Sequence, residues 1–140
     1  MPQVDVIDES FVVADPDRLA ELVHDPELWR RWWPDLELGV AHDRGRDGLR
    51  FAVTGALVGT AEFWLEPWGD GVIVHYFLRA DATRPGSAVE VRQLSARAAA
   101  RERRRRGQQN KVGIWALKDE LERDRTTGEP RVTAQAVPVV

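Results

Sequence analysis

Apolar and polar positions change their period twice along the 140-residue chain. Residues 4–14, VDVIDESFVVA, are β-branched and partly alternating, which predicts a strand that Asp15-Pro16 ends as a turn. In DPDRLAELVHD, Asp15 can cap a helix with Pro16 at its first position, and Leu19, Leu22 and Val23 share one face. Asp25-Pro26 repeats that start signal. PELWRRWWP therefore reads as a second short helix closed by Pro34, with Leu28, Trp29, Trp32 and Trp33 spread around it. From Leu36 to Asp81 the pattern is strand-like. LELGVAHD, GLRFAVTG, GTAEFWLEPW and GVIVHYFLRAD are separated by hairpin signals, most clearly Asp70-Gly71. After Pro85-Gly86 a helical pattern runs from about Ala88 to Asp124. Its stripe reads Ala96, Ala100, Arg103, Gly107, Asn110, Ile114, Leu117 and Leu121. Gly107 marks either close packing or a bend. Trp115, beside the stripe, extends the packed surface. The pattern predicts one domain over 1–124 and a loosely ordered or edge-paired tail over 125–140.

Composition narrows this picture. Without cysteine, neither disulfides nor thiolate chemistry nor a Cys-ligated metal is available, so a hydrophobic core must supply the stability. The N-terminal MPQVDVIDES is acidic and lacks a secretory signal pattern, which points to the cytoplasm, and no apolar run is long enough to span a membrane. Two biases stand out: six Trp against one Tyr, and 18 Arg against two Lys. The run within 97–106 is arginine-rich, but the chain carries a net charge of −3 and no nucleic-acid-binding motif accompanies the run. A solvated helix face explains it better than a phosphate footprint.

No metal-ligand spacing, phosphate-binding glycine loop or GxSxG elbow occurs, so the residues call for no metal and no cofactor. The strands carry the remaining candidates. A turn at 68–71 sets Trp64 opposite His75, Glu62 opposite Phe77 and Thr60 opposite Arg79. A four-residue loop at Gly55–Gly59 would set Val53 opposite Glu62 and Phe51 opposite Trp64. One face then reads Phe51, Val53, Glu62, Trp64, Ile73, His75, Phe77 and Arg79. The other reads Ala52, Phe63, Leu65, Val74, Tyr76 and Leu78. Aromatic walls with a few polar groups are what a ligand cavity needs, and Glu62 or His75 could serve there as acid or base. The alternative is plain packing, with Glu62, His75 and Arg79 partly in solvent. Which face is concave stays open. So does its cover, by the chain's own helices or by a second subunit in a homodimer.

ADPDRLAELVHDPELWRRWWPDLEL at 14–38, GALVGTAEFWLEPWGDGVIVHYFLRAD at 55–81 and VGIWALKDELE at 112–122 resemble the START-like (SRPBCC) helix-grip superfamily. The similarity is to its short actinobacterial members labelled polyketide cyclase/dehydrase or lipid-transport-like. The resemblance implies an α+β fold in which a curved antiparallel sheet wraps a long C-terminal helix, with two short helices after the first strand. It also implies an apolar cavity between sheet and helix, lined by Trp32, Trp33, one sheet face, Asn110 and Ile114. Four strand segments precede the last helix where many relatives have six, so a smaller cavity is expected. The leading expectation is binding or carriage of a lipid- or polyketide-like molecule. The second is a cyclase or dehydratase using Glu62 and His75, and the third is an interaction module built on the arginine-rich helix. Trp32, Trp33 and Trp64 are candidate pocket walls, whereas Trp68 and Trp115 read as structural.

Overall fold

The computed structural model describes residues 2–123; the tail expected at 125–140 lies outside them. Strand β1 (Val4–Val12) leads into helices α1 (Pro16–Val23) and α2 (Pro26–Trp32). Strands β2 (Leu36–Asp43), β3 (Gly48–Gly55), β4 (Leu57–Trp68) and β5 (Gly71–Ala82) follow, and helix α3 (Ala96–Leu121) closes the element order. Every pairing is antiparallel, in the order β1-β5-β4-β3-β2. The curved sheet wraps α3.

Local chemistry explains the helix starts. Asp15 and Asp25 each accept a hydrogen bond from the amide two residues on, at 2.9 and 3.0 Å, and Pro16 and Pro26 fill first-turn positions that need no N–H partner. Helix α3 starts at Ala96, later than the pattern predicts, because Ser95 caps it by accepting from the Ala98 amide. The preceding residues instead follow the sheet: Thr83 bridges Val91, and the Arg92 amide donates to Ala82. The Gln3 side chain fastens this connection through the Leu94 amide and the Arg92 carbonyl.

The β4–β5 hairpin has the expected register, with Trp64 opposite His75, Glu62 opposite Phe77 and Thr60 opposite Arg79. The β3–β4 register differs. Phe51 pairs with Ala61 and Val53 with Gly59, because the chain reverses tightly around Ala56, with Gly55 at a φ of 109°. The displacement is three residues. An odd displacement exchanges the faces, since side chains alternate along a strand. Leu49, Phe51 and Val53 thereby join Ala61, Phe63, Leu65, Val74, Tyr76 and Leu78 on the buried face.

Helix α3 buries Ala99, Arg106, Asn110, Gly113, Ile114 and Leu117. Counting back from Asn110, its stripe steps four residues to Arg106 rather than three to Gly107, and Gly107 has open space around it. The close-packing glycine is Gly113, where a Cβ would fall 2.6 Å from the Trp32 ring. Trp68 and Trp115 are exposed rather than structural, Trp115 by 59%.

The two sheet faces give an expected contrast between neighbours. Phe63→Ala should cost ~3–5 kcal/mol, as for a fully buried aromatic. Trp64→Ala, one residue on but facing outward, should cost only ~1 kcal/mol, the worth of an aromatic contact. Chemical denaturation of the two variants checks this, and comparable losses would contradict the face assignment.

Candidate functional site

Helix α2 is too short to bury its tryptophans by itself, and its end delivers them to the sheet. Trp33 follows the last helical residue with its amide bonded to the Trp29 carbonyl at 2.9 Å, and a φ of −133° turns it into the core. There its ring stacks on Tyr76, with centroids 5.7 Å apart and planes 13° apart, and lies 5.8 Å from Phe63. Trp29 meets Phe51 edge to face at 4.7 Å and donates its indole N–H to the Val23 carbonyl. Trp32 stands at the boundary, half-buried, 5.6 Å from Trp33 and 5.9 Å from Phe63. These rings form an aromatic layer between sheet and helix.

Two polar atoms in this region make no well-formed hydrogen bond: the Asn110 Oδ1, and the Trp33 indole N–H, which interacts only weakly with the Tyr76 hydroxyl. Buried groups of this kind are normally satisfied, so a weakly engaged donor and an unpaired acceptor beside an apolar layer can orient a polar group of a guest. The Asn110 amide nitrogen donates to Asp8, which also pairs with Lys111 at 2.8 Å. Burial pushes the Tyr76 hydroxyl well above its usual range, and the Arg106 charge and the Trp33 N–H offset only part of that effect. Tyr76 thus stays protonated.

Arg106 is 1% exposed, although it lies in the arginine run. Its guanidinium donates twice to Asp35, at 2.9 and 2.7 Å, and to Glu102 at 2.8 Å and Gln109 at 3.0 Å. Such a fork meets a carboxylate in two parallel bonds. Burial works to raise the Asp35 carboxyl, but the hydrogen bonds and charge of Arg106, followed by those of Arg105, outweigh it and hold the carboxyl below its ordinary value. Glu102 is lowered by the same balance, burial opposing Arg105 and Arg106.

The structure divides the residues singled out from sequence. Trp33, Phe51, Val53, Asn110 and Ile114 are buried on the concave side, and Trp32 borders them. Glu62, Trp64, His75 and Phe77 share the convex face instead. There His75 stacks on Trp64 at 4.1 Å, with Nδ1 3.4 Å from Glu9 and Nε2 3.1 Å from Glu66. Glu62 pairs with Arg44. Phe63 and Tyr76, which the sequence places on the alternative face, belong to this layer, and Asp35 and Arg106 are the residues beside it that sequence reading does not single out. The four-residue step back from Asn110 is the signal that points to Arg106.

Grooves border this core. One of about 450 Å³ runs between α2 and α3, lined by Trp32, Pro34, Gln109, Val112, Gly113 and Ala116 together with Arg31. Among the described residues no cluster of His, Cys, Asp or Glu could hold a metal ion, and no helix is long and apolar enough to cross a membrane.

No protein-family model matches the sequence, and no curated protein does. Solved structures do match in shape. DR_A0006 from Deinococcus radiodurans is 11% identical with a TM-score of 0.60, covering 86% of this chain and 99% of that one. The Aha1 dimer from Colwellia psychrerythraea is 13% identical with a TM-score of 0.58, covering 88% and 99%. The di-domain ARO/CYC StfQ from the steffimycin biosynthetic pathway is 15% identical with a TM-score of 0.50, over 87% of this chain and 51% of that one. At these identities the likeness establishes the architecture alone, a curved antiparallel sheet around a long C-terminal helix.

The Arg106–Asp35 pair has an acid signature. The Asp35 carboxyl is below its ordinary 3.8 in the folded chain, so its stabilisation is present above that pH and is lost as pH falls through the lower folded value. Asp35→Ala should cost ~1–3 kcal/mol, below the range for a fully buried pair, because Asp35 is partly exposed and Glu102 still holds the buried Arg106. It should also flatten the acid limb of a stability profile. Urea denaturation between neutral pH and pH 2 measures both effects.

Proposed function

We propose that the chain binds a hydrophobic, lipid- or polyketide-like small molecule between the sheet and α3, and acts as a binder or carrier rather than a catalyst. The observation that carries this reading is the position of Trp32. Its ring separates the apolar α2–α3 groove from the buried aromatic layer and packs directly on the α3 backbone, because Gly113 has no side chain there. Rotation of that one ring joins groove and layer. A flat apolar guest then stacks on Trp33 and Phe63, and its polar end finds the Trp33 N–H and the Asn110 carbonyl.

A cyclase would need acid–base groups against the guest. Glu62 and His75 face away from this layer, and Tyr76 is a poor base while burial keeps it protonated. Binding uses what the layer offers.

Native mass spectrometry of the freshly purified protein should reveal a copurifying nonpolar compound. The neutral dye Nile red should saturate one site, and Trp33→Leu should weaken it about tenfold, or ~1.4 kcal/mol. Gly113→Ala, which drives a methyl group into the Trp32 ring, should alter the affinity while keeping the fold, and Trp64→Ala should leave it unchanged. Nile red affinity that ignores Trp33 and Gly113 but falls with Trp64 would overturn the proposal.

A further inference from the structure

The arginine run is divided by its contacts. Arg106 and Arg105 are neutralised by Asp35 and Glu102, and Arg103 donates to the Gln3 carbonyl. Arg101 and Arg104 have no carboxylate within ion-pair distance among the described residues, and neither has Arg92 on the connection before the helix. These three border a single open groove of about 660 Å³. Its floor is apolar: Leu57 and Ala82 at the end of the sheet, with Leu94 and Ala98 beside them.

The charges stand with little to offset them. Only Glu102 supplies negative charge to the groove wall, and it is already engaged by Arg105 and Arg106. An oxyanion placed there would relieve the repulsion among arginines. Arginine also suits carboxylate and phosphate geometry, since it donates in a planar fork.

We infer that this groove is a second ligand site, for a small amphiphile whose carboxylate or phosphate head is held by Arg92, Arg101 and Arg104 and whose short apolar body lies on Leu57, Ala82, Leu94 and Ala98. The volume fits a small organic molecule. The site is separate from the Trp32 groove and does not depend on the function proposed above.

Isothermal titration of the full chain with octyl phosphate, octanoate, inorganic phosphate and octanol tests the inference. At least one of the two amphiphilic anions should bind tenfold more tightly than both octanol and inorganic phosphate, and the preferred head identifies the source. Raising salt should weaken that binding. Arg92→Gln/Arg101→Gln should lower the affinity at least tenfold, and Ala98→Glu, which sets a carboxylate on the floor, should do the same. Both variants should keep the circular dichroism spectrum and the urea midpoint of the parent. Equal affinity for octanol and the anions, or anion binding unchanged in the double variant, would overturn the inference. So would binding confined to a DNA duplex, the result expected of a nonspecific phosphate surface.

Discussion

The Arg106–Asp35 pair is the constraint on which the arrangement around α3 depends. A guanidinium with 1% exposure is tolerable only if its donors are taken up, and Asp35, Glu102 and Gln109 take them. Asp35 lies between α2 and β2, so the pair ties the end of the short helix to the long one. With Arg106 anchored, Asn110, Gly113, Ile114 and Leu117 follow at steps of four, three, one and three and meet the sheet. Trp32 can then rest on Gly113. The opposite flank of α3 is fastened to β1 by Asn110 and Lys111 on Asp8, and by Lys111 on Ser10. Polar contacts thus set the helix position, and apolar burial supplies the driving force.

Strand parity decides which side chains face α3 and which face outward. The tight reversal at Ala56 sends Phe51 and Val53 to the concave side and leaves Glu62, Trp64 and His75 outside. Both faces are rich in aromatic residues, so either could pass for a pocket wall on composition alone. They differ in polar chemistry. The concave layer holds a weakly engaged indole N–H and an unpaired amide oxygen, whereas His75 on the convex side is already flanked by Glu9 and Glu66 and stacked on Trp64.

The arginine-rich half of α3 serves several purposes within a few turns. Arg106 belongs to the core, Arg105 shares its carboxylates, Arg103 holds the N-terminal strand through Gln3, and Arg101 and Arg104 face a groove. A run that looks uniform in sequence is therefore separated by helical phase and by what stands opposite each residue.

The element order, the capped starts of α1 and α2, the β4–β5 register and the four-strand series were all legible in the sequence. Each rests on local chemistry: proline and aspartate at helix starts, glycine and aspartate at a two-residue turn, and alternation along a strand. Trp33, Asn110 and Ile114 were also legible as inward-facing candidates, because tryptophan crowding and helical spacing are local signals. The β3–β4 register was not, since a displacement of three residues changes no local preference and yet inverts a strand's faces. Nor was the buried role of Arg106, which depends on Asp35, 71 residues away in the chain. Local pattern determined which elements form. Only tertiary structure decided which faces and charges meet, because burial and ion pairing depend on partners brought together by the fold.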